Sequence, residues 1–382
     1  MNNYQNQPNF YGNLSGLNIY DWENLLLAYR KASKGKRGLA DVAAFEYKLE
    51  DNVLRLQHEL KEQTYQPGAY HSFYIHDPKK RLISAAPFRD RVVHHALCNL
   101  IEPIFEKSFI SDSYANRIGK GTHKAINRAQ QFARRFKYVL TCDVKQFFPS
   151  IDHEILKTSL RATLLGFAAK QSLTTKEIAS GVVSTACVST TSSQHDVLLL
   201  IEKILQSGAG VLQEEYEMMY FEKDNLFAIN RPRGLPIGNL TSQFWANCYL
   251  NPFDHFVKRQ LRCKGYIRYV DDFLLFSNSK QELNHWRKQI IQELSKFRLT
   301  LHENKCQGRP VTEGIPFLGF IIFPNHKLLK QQKGIAFQRK YKILRKEFGL
   351  RKISFEKITS SVQGWVNHVR YADTWRLRLA IL

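Results

Sequence analysis

The sequence has few cysteines, and no two of them lie close together. The shortest spacing, between Cys248 and Cys263, is 15 residues. A CxxC zinc pair and a dense disulfide framework are therefore excluded. We expect reduced thiols, as in a cytoplasmic protein, at all six positions: Cys98, Cys142, Cys187, Cys248, Cys263 and Cys306.

Long apolar runs are also missing. The most apolar helical stretch, 197–205, is interrupted by Glu202 and Lys203, and it is far shorter than the ~20 residues of a membrane-spanning helix. Residues 1–16 are rich in Asn and Gln and lack the basic and apolar regions of a signal peptide. We predict a cytoplasmic protein with no membrane partner.

Acidic residues are scarce relative to basic ones. The 382 residues include 56 Lys and Arg against 34 Asp and Glu, which gives a formal net charge of +22. Residues 327–382 alone contain 14 Lys and Arg against three acids. This excess points to a polyanionic partner such as nucleic acid. The hydrophobic fraction of 43% predicts a folded chain, and the length suggests two or three domains.

Apolar spacing predicts helices along most of the chain. The helix after Asp143 is expected to be capped by Ser150. The Ser/Thr-rich stretch 166–195 resembles an insertion, and we expect a loop there. The other helices are predicted at 22–29, 45–60, 89–105, 197–205, 279–294 and 337–348, with a last one starting at Ser354.

Strand signals appear at four places. Residues 68–87 alternate apolar with polar residues and contain an Asp-Pro turn, which predicts a hairpin with a basic tip. Residues 138–143 form a β-rich run that ends in an acid, and 266–276 form two β-rich arms around an Asp-Asp pair. FLGFIIF, 317–323, reads as one strand.

The three acids in these strands suggest a metal site. If the strand that ends at Asp143 pairs with the hairpin that carries Asp271 and Asp272, their carboxylates converge into an oxygen-rich site for Mg²⁺. The alternative is that Asp143 caps a helix and the Asp-Asp pair is an ordinary polar turn.

Several motifs resemble those of reverse transcriptases. The YVDD sequence at 269–272 matches their YxDD motif, and CDVKQFFPSID around Asp143 matches their first catalytic-aspartate motif. KKRLISAAPFRDRVVHHAL at 79–97 and SYANRIGKGTHKAI at 113–126 resemble the fingers motifs of bacterial reverse transcriptases. The motifs occur in family order over most of the chain.

One motif resembles a particular subfamily. LPIGNLTSQFWANCYLNPFD, 235–254, has the I/L/V-GxxxSQ form that is characteristic of reverse transcriptases of diversity-generating retroelements, and Gln243 completes it. WENLLLAYRKASKGKRG, NHKLLK and QGWVNHVRYADTW are also similar. The resemblance implies a bacterial or phage-encoded enzyme that copies a template-repeat RNA into cDNA with frequent errors opposite adenine. It also implies a small, basic, oligomeric accessory variability protein as partner. Alternatives are a retron, group II-intron-like or antiviral-defence reverse transcriptase, or a non-catalytic RNA-binding scaffold.

The resemblance implies the α+β fold of right-hand polymerases. A polar tail at 1–16 would precede N-terminal helices and fingers at 17–137, a palm with an antiparallel sheet at 138–325, which includes the insertion at 166–195, and a basic helical thumb at 326–382. Because few residues follow the FLGF strand, we expect no RNase H or endonuclease domain after the thumb, which would disfavour a self-sufficient mobile element.

The family roles imply a two-metal catalytic centre. Asp143 and Asp271 would be the principal ligands of two Mg²⁺ ions about 3.5–4 Å apart, and the backbone carbonyl of Val144 would supplement them. Asp272 would bind less directly than Asp271, or only through distortion of the turn, because neighbouring strand residues point to opposite faces. Lys305 matches a lysine that could protonate pyrophosphate, although a surface lysine is the alternative.

The resemblance also assigns the dNTP pocket. Lys80 and Arg81 would bind the triphosphate. Phe148, five residues after Asp143, would exclude a 2′-hydroxyl, or it is an ordinary core aromatic. Ile237 and Gly238 would lie against the incoming base pair, or Ile237 simply packs; an isoleucine there lacks the polar contacts of the glutamine that most relatives carry.

The resemblance implies contacts to the template and primer at four places. Arg117 and Lys120 lie in a loop before a helix, and Gln243 ends the I/L/V-GxxxSQ motif. Phe317, Leu318 and Gly319 match the primer-grip strand, or they are core residues. The basic C-terminal helices, with Arg339, Lys340 and Arg345, would follow the RNA/cDNA heteroduplex in a salt-dependent way.

Overall fold

The computed structural model describes residues 18–76, 80–179, 192–222 and 224–382. The predicted polar tail, the Asp77–Pro78 turn and Cys187 lie outside these ranges. The chain forms two compact units that alternate along the sequence. Unit 1 comprises Met1–Phe109, Gln146–Pro252 and Ser295–Leu299, and unit 2 comprises Ile110–Lys145, Phe253–Leu294 and Thr300–Leu382.

Helices account for most of the described residues. Their bounds are α1 Trp22–Ser33, α2 Ala40–Tyr47, α3 Leu49–Lys61, α4 Phe88–Glu106, α5 Thr122–Ala133, α6 Phe147–Ser150, α7 His153–Ala179, α8 Ser192–Ser207, α9 Leu240–His255, α10 Lys280–Lys296, α11 Gln331–Gly349, α12 Phe355–Val369 and α13 Trp375–Ile381. None of the helices in the described ranges combines the length and the hydropathy that a membrane crossing requires.

The strands form antiparallel sheets. They are β1 His71–Ile75, β2 Arg81–Ala85, β3 Tyr138–Asp143, β4 Gly265–Tyr269, β5 Asp272–Ser277, β6 Gly308–Pro310, β7 Ile315–Phe317, β8 Phe320–Ile322 and β9 Lys327–Leu329. β1 and β2 form the predicted hairpin, β4-β5-β3-β6 form a central sheet, and β7-β8-β9 form a small third sheet. Helices with antiparallel sheets confirm the predicted α+β class.

Unit 1 has its core where the N-terminal helices meet α4. α1 packs along α4, and the rings of Tyr29, Phe45 and Phe88 contact one another. The single helix predicted over 45–60 is wrong, because the backbone leaves helical geometry at Lys48, with φ −124° and ψ 49°. This break lets Phe45 and the apolar face of α3 both reach the core.

Unit 2 has its core on one face of the central sheet. Ile126 and Phe132 of α5 pack on Ile267 of β4 and Phe276 of β5, and Phe317 of β7 joins the same cluster. The cysteines within the described ranges are buried, and no disulfide links them. Unit 2 therefore gives the sheet that carries the acids a rigid apolar support.

Asp152, not Ser150, caps the helix that follows the first acidic motif. α7 begins at His153, and Asp152 Oδ1 accepts hydrogen bonds from the amides of Glu154 and Ile155 at 2.9 and 3.0 Å. The Ser150 hydroxyl, at the end of the short helix α6, instead donates to the carbonyl of Gln146, which directly precedes that helix. The predicted cap was wrong because a separate helical turn ends at Ser150.

The loop predicted over 166–195 is wrong throughout its described part. α7 continues through 166–179 and α8 starts at Ser192, whereas 180–191 lie outside the described residues. The segment 166–179 contains Ala, Leu, Lys and Glu, which have high helix propensity. The Ser/Thr-rich run that suggested a loop begins after it.

The single strand predicted over 317–323 is also wrong. β7 ends at Phe317 and β8 begins at Phe320, which pair across a two-residue turn. Leu318 and Gly319 have φ of 49° and 88°, as in a type I′ hairpin turn. A leucine at a left-handed position gives no turn signal in the sequence.

Candidate functional site

The central sheet brings two of the predicted acids opposite each other. β3 and β5 pair antiparallel with Asp143 in register with Asp272. Directly opposite residues have Cα atoms about 4.5–5.5 Å apart and share one face of the sheet. Residues that are 129 positions apart in sequence thus meet at one end of the central sheet.

Asp271 lies in the turn that joins β4 to β5. Tyr269 pairs with Asp272, so Val270 and Asp271 form a two-residue connection. The Asp271 carbonyl accepts a hydrogen bond from the Val144 amide at 3.3 Å. This bond continues the β3–β5 pairing beyond the last register pair, and it ties Val144 to the turn.

A second segment borders Asp143. The amide of Lys145 donates to the Thr300 carbonyl at 2.8 Å, and the amide of His302 donates to the Asp143 carbonyl at 3.0 Å. The Asp143 carboxylate Oδ2 lies 3.5 Å from Lys305 Nζ and 4.0 Å from His302 Nε2. Lys305 is thus a neighbour of a predicted metal ligand, as its predicted role requires. His302 was not predicted from the sequence, because no feature of the neighbouring residues marks it as part of a site.

The donors fit a hard divalent cation by their chemistry. Asp143, Asp271 and Asp272 offer carboxylate oxygens and Val144 offers a backbone carbonyl, which are the ligands that Mg²⁺ prefers. Within the described ranges, no three His, Cys, Asp or Glu side chains are already grouped as a metal site. The Mg²⁺ site and the ranking of its ligands therefore stay predictions.

In unit 1, the loop that carries Ile237 and Gly238 is joined to the β1–β2 hairpin. The Ser84 amide of β2 donates to the Ile237 carbonyl at 2.8 Å. Gly238 has φ of 119°, and a Cβ on it would lie 3.0 Å from Ile83 Cγ2. Both observations explain a glycine at this position. Ile237 is half-buried beside it.

A buried asparagine that the sequence reading missed holds this junction together. Asn239 Oδ1 accepts from the Ala86 amide at 3.0 Å, and its Nδ2 donates to the carbonyls of Ser84 and Pro236 at 2.8 and 3.1 Å. The side chain is 2% exposed. Its position directly after the I-G pair was the only available signal.

Phe148 is attached to the same loop. The Leu235 amide donates to the Phe148 carbonyl at 3.0 Å, and the Phe148 ring is half-buried. Lys80 and Arg81 are exposed at the start of β2, where Lys80 Nζ lies 4.1 Å from the centroid of the Tyr74 ring. Unit 1 thus gathers the residues predicted to bind the nucleotide, whereas unit 2 gathers the acids.

The residues predicted to bind template and primer occupy varied surroundings. Arg117 Nη1 donates to the carbonyls of Ile110 and Ser113. Lys120 Nζ donates to the carbonyl of Ser111. Both side chains therefore stabilise the loop that carries them. Phe317 is 3% exposed and belongs to the core. The exposed residues are Gln243 of α9 and Arg339, Lys340 and Arg345 of α11.

Comparisons with known proteins agree with these motifs. A profile of the family described as reverse transcriptase (RNA-dependent DNA polymerase) matches residues 75–322. Protein YkfC of Escherichia coli is 23% identical over 291 residues, which cover 72% of this chain and 71% of YkfC. The group II intron-encoded protein LtrA of Lactococcus lactis is 24% identical over 285 residues, which cover 72% of this chain but 40% of LtrA.

Among solved structures, telomerase from Candida albicans in complex with a fragment of telomeric RNA aligns with a TM-score of 0.44 and 12% identity, over 84% of this chain and 57% of that chain.

The family profile spans well over half of the sequence, and it includes both strands that carry the acids. The chain therefore belongs to the reverse transcriptase (RNA-dependent DNA polymerase) family, with the α+β fold of right-hand polymerases.

Proposed function

We propose that this chain is the reverse transcriptase of a diversity-generating retroelement, which copies a template-repeat RNA into cDNA with errors opposite adenine. The polymerase part is supported by the register of Asp143 with Asp272 beside the Val270–Asp271 turn. The subfamily part is supported by the sequence LPIGNLTSQ at 235–243. A basic accessory variability protein is the proposed partner, and the excess of basic residues suits RNA and heteroduplex binding.

The acids and the basic residues divide the chemistry between them. Asp143, Asp271, Asp272 and the Val144 carbonyl would hold Mg²⁺, which, when bound, activates the primer 3′-hydroxyl and stabilises the leaving pyrophosphate. Arg81 and Lys80 would bind the triphosphate oxygens, because a guanidinium fork matches phosphate geometry. Lys305 would donate a proton to a pyrophosphate oxygen.

The apolar residues of unit 1 would select the nucleotide. Phe148 would place its ring beneath the sugar and exclude a 2′-hydroxyl. Gly238 would let the backbone approach the base pair, and Ile237 would offer it a surface without hydrogen-bonding groups. Discrimination among base pairs would therefore rest on shape alone, which separates small differences weakly.

A group II-intron-like reverse transcriptase is the second candidate, and the similarity to LtrA favours it. Primer extension by the purified full chain on a defined, adenine-containing RNA, with and without the accessory protein, distinguishes the two functions. We expect Mg²⁺-dependent cDNA whose sequenced errors cluster opposite adenine. Accurate cDNA would support the group II-like function, and RNA binding without extension would support a non-catalytic scaffold.

Ile237→Gln is expected to lower misincorporation opposite adenine by about fivefold, since one added hydrogen bond to the base pair contributes about 1 kcal/mol. The Ile237 side chain is half-buried, and the Ile237 carbonyl keeps its bond to the Ser84 amide when the side chain is changed. Ile237→Val, which stays apolar, is the matched control. Unchanged error spectra for the Gln variant in sequenced extension products would reject this role of Ile237.

Lys305→Ala is expected to slow single-turnover nucleotide addition by about a hundredfold or more, the usual contribution of a general acid. Lys305→Arg should be slowed as well, because a guanidinium keeps the charge near Asp143 but does not release its proton. Rapid-quench kinetics measures both variants. Normal rates in both would make Lys305 a surface lysine, and a normal rate in the Arg variant alone would make it only a counter-ion of Asp143.

A further inference from the structure

The turn that carries Asp271 contains a residue in an unfavourable conformation. Val270 has φ of 57°, whereas Asp271 is not among the residues with positive φ. These φ signs are those of a type II′ hairpin turn, whose first central position is normally glycine. A β-branched residue is a strained occupant of this region, so the turn needs bonds from outside to keep its shape.

Arg268 supplies such a bond from inside the protein. Its Nη1 donates to the Val270 carbonyl at 3.0 Å, and its side chain is 0% exposed. The Arg268 main chain is also fixed, because its amide donates to the Asp112 carbonyl and its carbonyl accepts from the Tyr114 amide, both at 3.0 Å. The guanidinium therefore holds the turn from a position that has little freedom to move.

Asp254 and Tyr266 orient this guanidinium. Arg268 Nε lies 2.8 Å from Asp254 Oδ1, and Nη2 lies 2.7 Å from Asp254 Oδ2. Tyr266 donates its hydroxyl hydrogen to Asp254 Oδ1 at 2.7 Å. The two-point contact with the carboxylate leaves Nη1 directed at the Val270 carbonyl. A lysine could not make both contacts, because its ammonium is a single point of charge.

Stability alone is a weak reason for this arrangement. A fully buried ion pair is often no more stabilising than apolar residues of similar volume, since both charges lose their hydration. Orientation is a better reason, because groups that support metal ligands set their geometry and affinity. The Arg268–Asp254 pair contacts Val270, a strained residue that directly precedes the predicted metal ligand Asp271. The orientation that the pair imposes on the turn therefore bears on metal binding.

We propose that Arg268, oriented by Asp254 and Tyr266, is a positioning residue that fixes the Val270 carbonyl and thereby aims the Asp271 carboxylate at a divalent cation. This role rests on the proposed polymerase function and adds to it the group that shapes its YVDD turn. Arg268 is fully buried, so it would act on the metal site through the turn.

Mn²⁺ binding to the full chain, measured by electron paramagnetic resonance, tests the role without relying on activity. We expect Arg268→Lys to weaken binding about 10–100-fold, as loss of a supporting partner does, and Asp143→Asn to define the site-specific signal. Ile290→Ala, on the buried face of α10, is the control for general destabilisation. This variant should leave the Mn²⁺ affinity unchanged. Thermal unfolding confirms that each variant is folded.

A double-mutant cycle with Val270→Gly isolates the proposed contact. Glycine adopts positive φ without strain, so Arg268→Lys should weaken Mn²⁺ binding much less in the Gly background than in the Val background. If Arg268→Lys fails to fold, Tyr266→Phe removes only the hydroxyl and should weaken binding in the same direction. Equal losses in both backgrounds, or normal Mn²⁺ affinity in folded Arg268→Lys, would overturn the proposal.

Nucleotide addition separates this inference from the proposed function. In an active wild-type enzyme, Arg268→Lys should lower kcat and raise the Mg²⁺ requirement while the dNTP KM stays near its normal value. An inactive wild type whose Mn²⁺ binding still depends on Arg268 would refute the polymerase function and leave the positioning role intact. A wild type that binds Mn²⁺ no better than Asp143→Asn would overturn the positioning role.

Discussion

Replacing Asp143 or Asp271 by Asn is expected to lower Mg²⁺-dependent nucleotide addition by at least about a thousandfold. Asparagine keeps the size of the side chain but removes the negative charge that holds a divalent cation. Loss of several kcal/mol of charge stabilisation in the transition state corresponds to this factor, since each ~1.4 kcal/mol changes the rate tenfold. Binding of RNA should be unchanged, because the acids are not expected to contact phosphate.

Single-turnover extension of a primer on RNA, over a range of Mg²⁺ concentrations, measures this effect. Asp373→Asn is the matched control, because Asp373 is an exposed acid of the same unit and has no role in the site. A rate within tenfold of wild type for Asp143→Asn, at saturating Mg²⁺, would contradict the two-metal assignment.

Asp272→Asn decides between two ways of ranking the acids. The family resemblance makes Asp271 the principal ligand, which predicts a smaller loss for the Asp272 variant. The register instead places Asp272 directly opposite Asp143, which by itself favours Asp272. We expect the smaller loss for the Asp272 variant, because the strained turn at Val270 would aim the carboxylate of the next residue, Asp271, at the cation. Equal losses of activity in the Asp271 and Asp272 variants would favour the ranking by register.

Asp152→Ala is expected to destabilise the protein by about 3 kcal/mol, at the lower end of the range for breaking a buried ion pair. Asp152 is 1% exposed, and its Oδ2 lies 2.5 Å from Arg298 Nη1 and 3.5 Å from Arg231 Nε. Truncation also removes the cap of α7. The loss stays near the lower end because Asp224 remains beside both arginines, and Arg298 is 32% exposed.

Urea unfolding followed by circular dichroism measures this loss. Ser150→Ala is the matched control, because the Gln146 carbonyl still accepts the Ser150 amide when the hydroxyl is removed. Its cost should stay within about 1 kcal/mol. If both variants lose the same stability, Asp152 is not the residue that anchors α7.

Elements with local signals could be predicted from the amino-acid sequence alone. The spacing of apolar residues predicted α1 and α4, and alternation predicted the β1–β2 hairpin. The acids at a strand end and at a hairpin tip indicated β3 and the β4–β5 turn, because strand propensity and turn residues act over a few positions. The order of the motifs then indicated the family.

Contacts between residues that are distant in sequence became visible only in the folded chain. The cap at Asp152 depends on Arg231 and Arg298, and the YVDD turn depends on Arg268 and its buried partner Asp254. Neither set of contacts could be predicted from a periodic sequence pattern. A charged residue is buried when the fold places an opposite charge beside it, and that neighbour is distant in sequence. The left-handed Leu318 is similar, because strand pairing on both sides of it, and not its own propensity, fixes its backbone.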